Sequence, residues 1–233
     1  MQIEILHYRD LNGTTEAAVV IDVIRAFTVA AYAFAGGAER ILMVRGVDDA
    51  LCLHDSLPGS LLAGEVGGRL IPGFDLNNSP SAVQRRTVAG RIIIQRTGAG
   101  TQGAVAASGA GHLVVASLVN AAATAAYIRR LGLSSVTLVP TALPDIDNAI
   151  EDLVCARYLE ALLLRPEEAR DVLETGLRRL EETGRYAGFG DDSDFPADDV
   201  EAVLAVDKFN VAMVGKPLDG FPFPVIDVRA IPL

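Results

Sequence analysis

The chain has 233 residues, half of them hydrophobic and 21% charged, with a net charge of −10. Folding at this length buries roughly 70% of the unfolded surface, so the composition excludes a disordered polymer, and the acidic balance argues against nucleic-acid binding. No apolar stretch reaches about 18 residues and the start, MQIEILHYRD, lacks a basic and an apolar region, so neither a membrane span nor a signal peptide is expected and a cytoplasmic protein is the default.

In chain order, Ile3–His7 and Ala17–Val23 read as strands, and Ala26–Ala35 as a small-residue helix serving either as core or as a homodimer surface. Arg40–Val44 reads as a strand, Val47–His54 as a helix and Leu61–Ala63 as a short strand. Gly67–Pro80, rich in Gly, Pro and Asn, reads as a long loop. Arg91–Gln95 is a buried strand running into a glycine turn and a helix over Gly98–Ala107. His112–Ala116, Ala121–Leu131 and Val136–Val139 continue the alternation. A long helix is expected over Ala149–Leu164 after an Asp147-Asn148 cap, then a charged amphipathic helix over Glu167–Thr183. Gly184–Pro196 is a polar, acidic loop, Val200–Val206 is helical and Val225–Val228 is a last strand. Alternating β and α elements with continuously apolar strands argue for a layered α/β/α fold on a mixed central sheet, largely parallel in its middle. One compact unit is expected, with a two-lobed arrangement broken near Pro140–Ile146 as the alternative.

In layered α/β folds, ligands gather at the carboxyl ends of strands. Asp22 sits at such an end, with Arg25 three residues on; an internal Asp22–Arg25 pair is the plain alternative. Glu65 follows Leu61–Ala63 among glycines, which let backbone or ligand come close. Asp75, Asn78 and Ser79 offer oxygens in a turn before Pro80, and ordinary turn and cap chemistry explains them equally well. The run Arg96-Thr97-Gly98-Ala99-Gly100-Thr101-Gln102-Gly103 contains G-x-G-x-x-G between a strand and a helix. A dinucleotide site also wants an acid about 20 residues later, and none occurs before Asp145. What survives is a helix start whose N–H groups, beside Arg96 and Thr97, suit a phosphate or sulfonate. Ser117 and Asn120 open the next helix as caps or ligands. Glu151 and Asp152 open the long helix, where acids suit the dipole and also suit magnesium. Asp207 lies in an apolar stretch and needs a partner. Asp191, Asp192, Asp194, Asp198 and Asp199 lack calcium-loop spacing and read as a solvated loop and helix start. Residues 76 to 144 hold six arginines and no acid, a field that tolerates an anion.

Cys52 and Cys155 build no disulfide framework, and His7, His54 and His112 no multi-His centre. The haloacid-dehalogenase D-x-D, the cysteine-phosphatase loop, Arg-His-Gly, the P-loop and G-x-S-x-G are all missing. Metal-assisted chemistry on an anion remains.

Four stretches resemble the 2-phosphosulfolactate phosphatase (ComB) family and fall in the same order: Asp22-Val23-Ile24-Arg25-Ala26-Phe27-Thr28, Gly64-Glu65, Gly73-Phe74-Asp75-Leu76-Asn77-Asn78-Ser79-Pro80 and Glu151-Asp152-Leu153-Val154-Cys155-Ala156. Asn77 stands where the family usually has Gly, and the glycine turn reads R-T-G-A-G-T rather than the T-N-G-T type. The resemblance implies an α/β phosphatase that requires Mg²⁺ and removes phosphate from 2-phospho-3-sulfolactate, a step towards coenzyme M. It makes Asp22, Glu65, Asp75, Glu151 and Asp152 candidate metal or catalytic acids. Arg25 becomes a candidate catalytic group that binds the anion, and Asn78, Ser79, Arg96, Thr97, Gly98, Gly100 and Thr101 candidate substrate binders. The partner it implies is a small anionic phosphorylated metabolite. A non-catalytic anion-binding or regulatory protein on the same fold is the alternative function.

Overall fold

The computed structural model describes residues 1–11, 14–142 and 149–233. Its ten strands are β1 (Gln2–Ile5), β2 (Ala17–Ile21), β3 (Arg40–Met43), β4 (Leu61–Val66), β5 (Arg69–Leu70), β6 (Ile92–Arg96), β7 (His112–Ala116), β8 (Ser135–Pro140), β9 (Val211–Pro217) and β10 (Ile226–Pro232). They form one sheet in the order β1-β8-β2-β7-β9-β10-β3-β6-β4-β5. The helices are α1 (Ala26–Ala35), α2 (Val47–Ser56), α3 (Pro80–Gln84), α4 (Gly100–Ala106), α5 (Ala121–Leu131), α6 (Glu151–Leu164), α7 (Ala169–Glu182) and α8 (Asp198–Val203). Among the described residues no helix is long and apolar enough to cross a membrane.

The class is the layered α/β/α one with a mixed, mostly parallel sheet. Its parallel pairings form two blocks, β1-β8-β2-β7 and β3-β6-β4. The middle is antiparallel, because β9 and β10 make a hairpin that joins β7 to β3. Sequence reading passes over β9, since Gly215 and Pro217 interrupt its apolar pattern; Gly215 is buried there, and a Cβ would lie 2.9 Å from the Ile226 side chain. The hairpin makes the two parallel blocks run in opposite senses within the sheet. Twist offsets much of that opposition. Five steps separate β2 from β6, and about 20–25° per step turns the second block by roughly 100–125°. The segments after β2 and β6 therefore meet rather than lie at opposite ends.

All five residues of β2 are buried, as expected of a parallel strand covered on both faces. On one face, a single apolar cluster joins Val20, Met43, Ala63 and Ile93 of both blocks to Phe27, Ala30 and Ala31 of α1 and Ala104 of α4. The opposite face is covered in two parts. Ala17, Val19 and Val114 pack on α5, α6 and α7, while Leu42, Leu62 and Ile94 pack with Leu53 of α2. Each large aliphatic side chain so buried contributes about 1.5–3 kcal/mol relative to exposure. Helix α1 is apolar all round and its first eight residues are buried, so this stretch is core rather than a free pairing surface.

Most boundaries agree with the pattern within a few residues. The charged helix begins at Ala169 and the last short helix at Asp198, earlier than Val200. The Asp147-Asn148 cap lies outside the described residues, as does most of the alternative break near Pro140–Ile146. Both cysteines are free.

Candidate active site

The turn after β2 leads directly into α1, and Asp22 is fixed there by the Ala26 N–H, 2.9 Å from Oδ1. From the other block, Gly100 at the start of α4 comes so close that a Cβ would lie 2.6 Å from Asp22 Oδ2 and from the Ala26 Cβ. Glu65, at the end of β4, is clamped by two glycine N–H groups: Gly98 at 2.5 Å on Oε1 and Gly68 at 2.7 Å on Oε2. Arg96 holds the same residue from behind, donating to the Glu65 carbonyl at 2.6 Å.

Asp22 lies at the junction of two cavities. The larger, about 520 Å³, is also lined by Arg25, Glu65, Asn78, Arg185, Phe189, Asp192 and Phe195. The smaller, about 220 Å³, adds Gly98, Glu151 and Asp152. Four sequence-predicted carboxylates thus gather here, and they differ in what they can still do. Asp152 accepts from Val23 N–H on Oδ1 and from Thr141 N–H, Thr141 Oγ1 and Ala142 N–H on Oδ2, so it organises backbone and has little capacity left. Glu151 accepts from Ile150 N–H on Oε2 and is ion-paired through Oε1 to Arg185 at 3.0 Å. Asp22 and Glu65 keep unused lone pairs.

Burial, reinforced by the neighbouring Glu65 and Glu151 charges, pushes the Asp22 carboxyl up to about 7; the Ala26 and Gly100 N–H groups pull the other way. Burial, then Asp22 and Glu151, also pushes Asp152 up. Four donors converge on Asp152, so of this pair the proton belongs on Asp22.

Several expected residues lie elsewhere or act differently. Asp75 requires correction: its carboxylate accepts the Leu62 N–H at 3.0 Å and pairs with Arg86 at 3.1 Å, half-exposed beside β4 and off the cavity wall. Ser79 caps α3 and donates to Asp199 Oδ1 at 2.8 Å. Thr97 and Thr101 latch onto each other's backbone, each N–H donating to the other's hydroxyl. Ser117 and Asn120 form a buried capping box, with Ser117 against Thr28 Oγ1 and Asn120 donating to the Val211 carbonyl. The glycine turn spends its Gly98 N–H on Glu65 and packs Gly100 against Asp22, rather than standing open to an anion. Asn78 does face the cavity, and its buried Oδ1 has no hydrogen-bond partner.

Arg25 does not pair with Asp22. Its Nη1 binds buried Asp199 at 2.7 Å and the Asp194 carbonyl at 2.8 Å, while its face packs on Phe195 and Phe189. The segment Gly184–Pro196, expected from sequence to be a polar, acidic loop, therefore roofs the cavity, and Asp199, expected in a solvated helix start, anchors it through Arg25. Asp192 pairs with Arg69, and Asp194 accepts from Asn77 Nδ2. Sequence reasoning missed Arg185, Phe189, Phe195 and Asp199; two phenylalanines inside an acidic loop are the signal that it docks.

The carboxylates around the cavity suit a divalent cation only in part. Among the described residues no three His, Cys, Asp or Glu side chains make a ready metal centre. Mg²⁺ keeps several waters and takes one or two carboxylates plus substrate phosphate oxygens, so it does not need one. The uncompensated oxygens of Asp22 and Glu65, with the orphaned Asn78 Oδ1, fit such an ion; Asp152 and Asp75 do not. The close approach at Gly100 gives a direct test. Gly100→Ala should lower turnover at least tenfold by displacing Asp22, while overpacking costs about 1–3 kcal/mol; native turnover in a folded variant would remove this contact from the site's design.

A family model described as 2-phosphosulpholactate phosphatase matches residues 5–184, the stretch that carries Asp22, Glu65, Asn78, Glu151 and Asp152. A probable 2-phosphosulfolactate phosphatase of Bacillus subtilis (strain 168) is 40% identical over 146 residues, 62% of this chain and 63% of its own. Those so named from Carboxydothermus hydrogenoformans and Deinococcus radiodurans are 39% identical over 165 residues and 40% over 160. These matches cover 70% and 67% of this chain, and 68% and 64% of the relatives. The chain thus spans a little under two thirds of the Bacillus and Deinococcus relatives. With more than half of its length matched, including the carboxylates gathered around the cavity, this chain belongs to the 2-phosphosulpholactate phosphatase family.

Proposed function

We propose that this chain is a Mg²⁺-dependent phosphatase that cleaves the phosphate monoester of a small anionic hydroxy acid, with 2-phospho-3-sulfolactate as substrate and 3-sulfolactate and phosphate as products. The observation that carries the reading is the meeting of Asp22 and Glu65, from separate parallel blocks of the sheet, on one cavity. Phosphoryl transfer asks a protein mainly for positioning and charge stabilisation rather than covalent chemistry of its own. A bound Mg²⁺ ion supplies Lewis-acid neutralisation at the phosphoryl oxygens. Asp22 and Glu65 would hold it, with Asn78 Oδ1 beside them. Asp22, fixed by the Ala26 N–H at the start of α1, and Glu65, fixed by the Gly98 and Gly68 N–H groups, would turn their remaining lone pairs to that ion and so orient the phosphoryl group beside it. Phe189 and Phe195 line the cavity over Arg25, and Asp152 fixes the backbone of Val23 and Thr141 on which Asp22 stands.

The test is phosphate release from a panel of phosphorylated hydroxy acids, including phosphosulfolactate, with millimolar Mg²⁺ and with EDTA. Release that requires Mg²⁺ and is fastest on phosphosulfolactate is expected. No release from any ester favours the non-catalytic anion-binding alternative, and release unaffected by EDTA removes the metal.

A further inference from the structure

Two arginines line the larger cavity, and their situations are opposite. Arg25 is buried; Asp199, the Asp194 carbonyl and the Gly68 carbonyl take its Nη groups, and two phenylalanine rings cover it. It cannot turn to a ligand without breaking a buried ion pair. Arg185 is 38% exposed and reaches both cavities. Its Nε and Nη2 both bond a single oxygen, Oε1 of Glu151, at 3.1 and 3.0 Å. Glu151 is held independently through Oε2 by the Ile150 N–H.

Charge makes this difference consequential. Asp22, Glu65 and Asp192 face the larger cavity, and Asp199 already neutralises Arg25. A ligand with one phosphoryl group can be met by a cation at Asp22 and Glu65. A ligand with a second anionic group meets a negative wall unless another positive group turns towards it. We propose that Arg185 is the specificity-determining residue of this site: its Nε and Nη2 stay on the buried Glu151 carboxylate, and its Nη1 edge turns to the substrate's second anion, a sulfonate or carboxylate. The proposal rests on the phosphatase reading above and goes beyond it by assigning the group that selects multiply charged esters.

The experiment compares native protein, Arg185→Gln and Arg185→Lys on phosphosulfolactate, phospholactate and isopropyl phosphate, which carry two, one and no further anionic groups. A charged hydrogen bond is worth roughly 10- to 100-fold. Arg185→Gln should therefore lower the kcat/KM ratio of phosphosulfolactate to isopropyl phosphate by about that factor, mostly through KM. Arg185→Lys, a point charge without the fork, should retain part of it. The phospholactate arm tells whether sulfonate or carboxylate is gripped. A variant that lost only structure would depress all three esters together; a ratio unchanged within about twofold in both variants overturns the proposal. If native protein turns over none of the esters, the phosphatase reading is what fails. Calorimetric binding of sulfolactate then decides Arg185 alone: weaker binding by Arg185→Gln sustains it and equal binding overturns it.

Discussion

Asp22→Asn is expected to lose about 10³-fold or more in turnover and yet melt higher than the native protein at pH 8 in EDTA. Both effects have one cause. Asp22 is a buried carboxylate set beside Glu65 and Glu151, and its carboxyl is pushed from 3.8 to about 7. Between these pH values the folded chain keeps a proton that the unfolded chain has released. Stability is therefore full below about pH 4, falls as pH rises towards 7 and stays lost above it. Asparagine does not titrate and can still accept the Ala26 N–H, so it escapes this loss. That displacement of the Asp22 carboxyl corresponds to at most about 4 kcal/mol, and in a chain of this size to a rise in Tm of up to roughly 8–16 °C. The gain should vanish near pH 4. Millimolar Mg²⁺ should narrow it from the other side, since an ion that binds only the folded native site raises native Tm by mass action. A variant that melts at or below native at pH 8 would mean that the Asp22 charge is already compensated inside the protein.

The parts of this arrangement legible in the sequence are the local ones. Val19, Val20 and Ile21 form a continuous apolar run and give a buried strand, and Asp22 is singled out by its position at the strand's end. Glu151 and Asp152 announce themselves as acids in the first turn of a long helix. What the sequence hides is pairing over distance. Arg25 and Asp199 are 174 residues apart, so nothing near either one tells that they share a buried ion pair. The acidic density of residues 191–199 suggests solvent, and only Phe189 and Phe195 betray that the segment lies down over Arg25. The glycine turn shows a related limit. Its spacing correctly places N–H groups at a helix start, but whether they receive a substrate anion or the chain's own Glu65 depends on where β4 ends, which the turn itself does not encode. Asp75 misleads for the opposite reason: its motif is specific, while its carboxylate is consumed locally by Leu62 and Arg86.

Asp199→Ala should be the most destabilising single change in the roof. The carboxylate is fully buried and binds Arg25, Ser79 Oγ and the Ser81 N–H, at 2.7, 2.8 and 3.0 Å. Removing it leaves a buried guanidinium without its counter-charge and two orphaned donors. Breaking one side of such a pair costs about 3–5 kcal/mol, because the surviving charge stays desolvated, and the expected fall in Tm is roughly 10–15 °C. Arg170→Ala is the contrasting control. It breaks the Arg170–Glu174 pair on the exposed face of α7, where water screens both partners, and should leave Tm unmoved. Replacing both buried partners, as in Arg25→Met with Asp199→Leu, should recover much of the lost stability, since apolar side chains of similar size suffer no desolvation penalty. That double variant should not recover turnover, because Arg25 anchors Asp194, Phe189 and Phe195 over the cavity. Thermal melts of the three variants, read beside their rates, separate the two roles. If Asp199→Ala melts within about 2 °C of native, the roof is held by something other than this ion pair; if the double variant turns over at the native rate, the roof does not serve the chemistry.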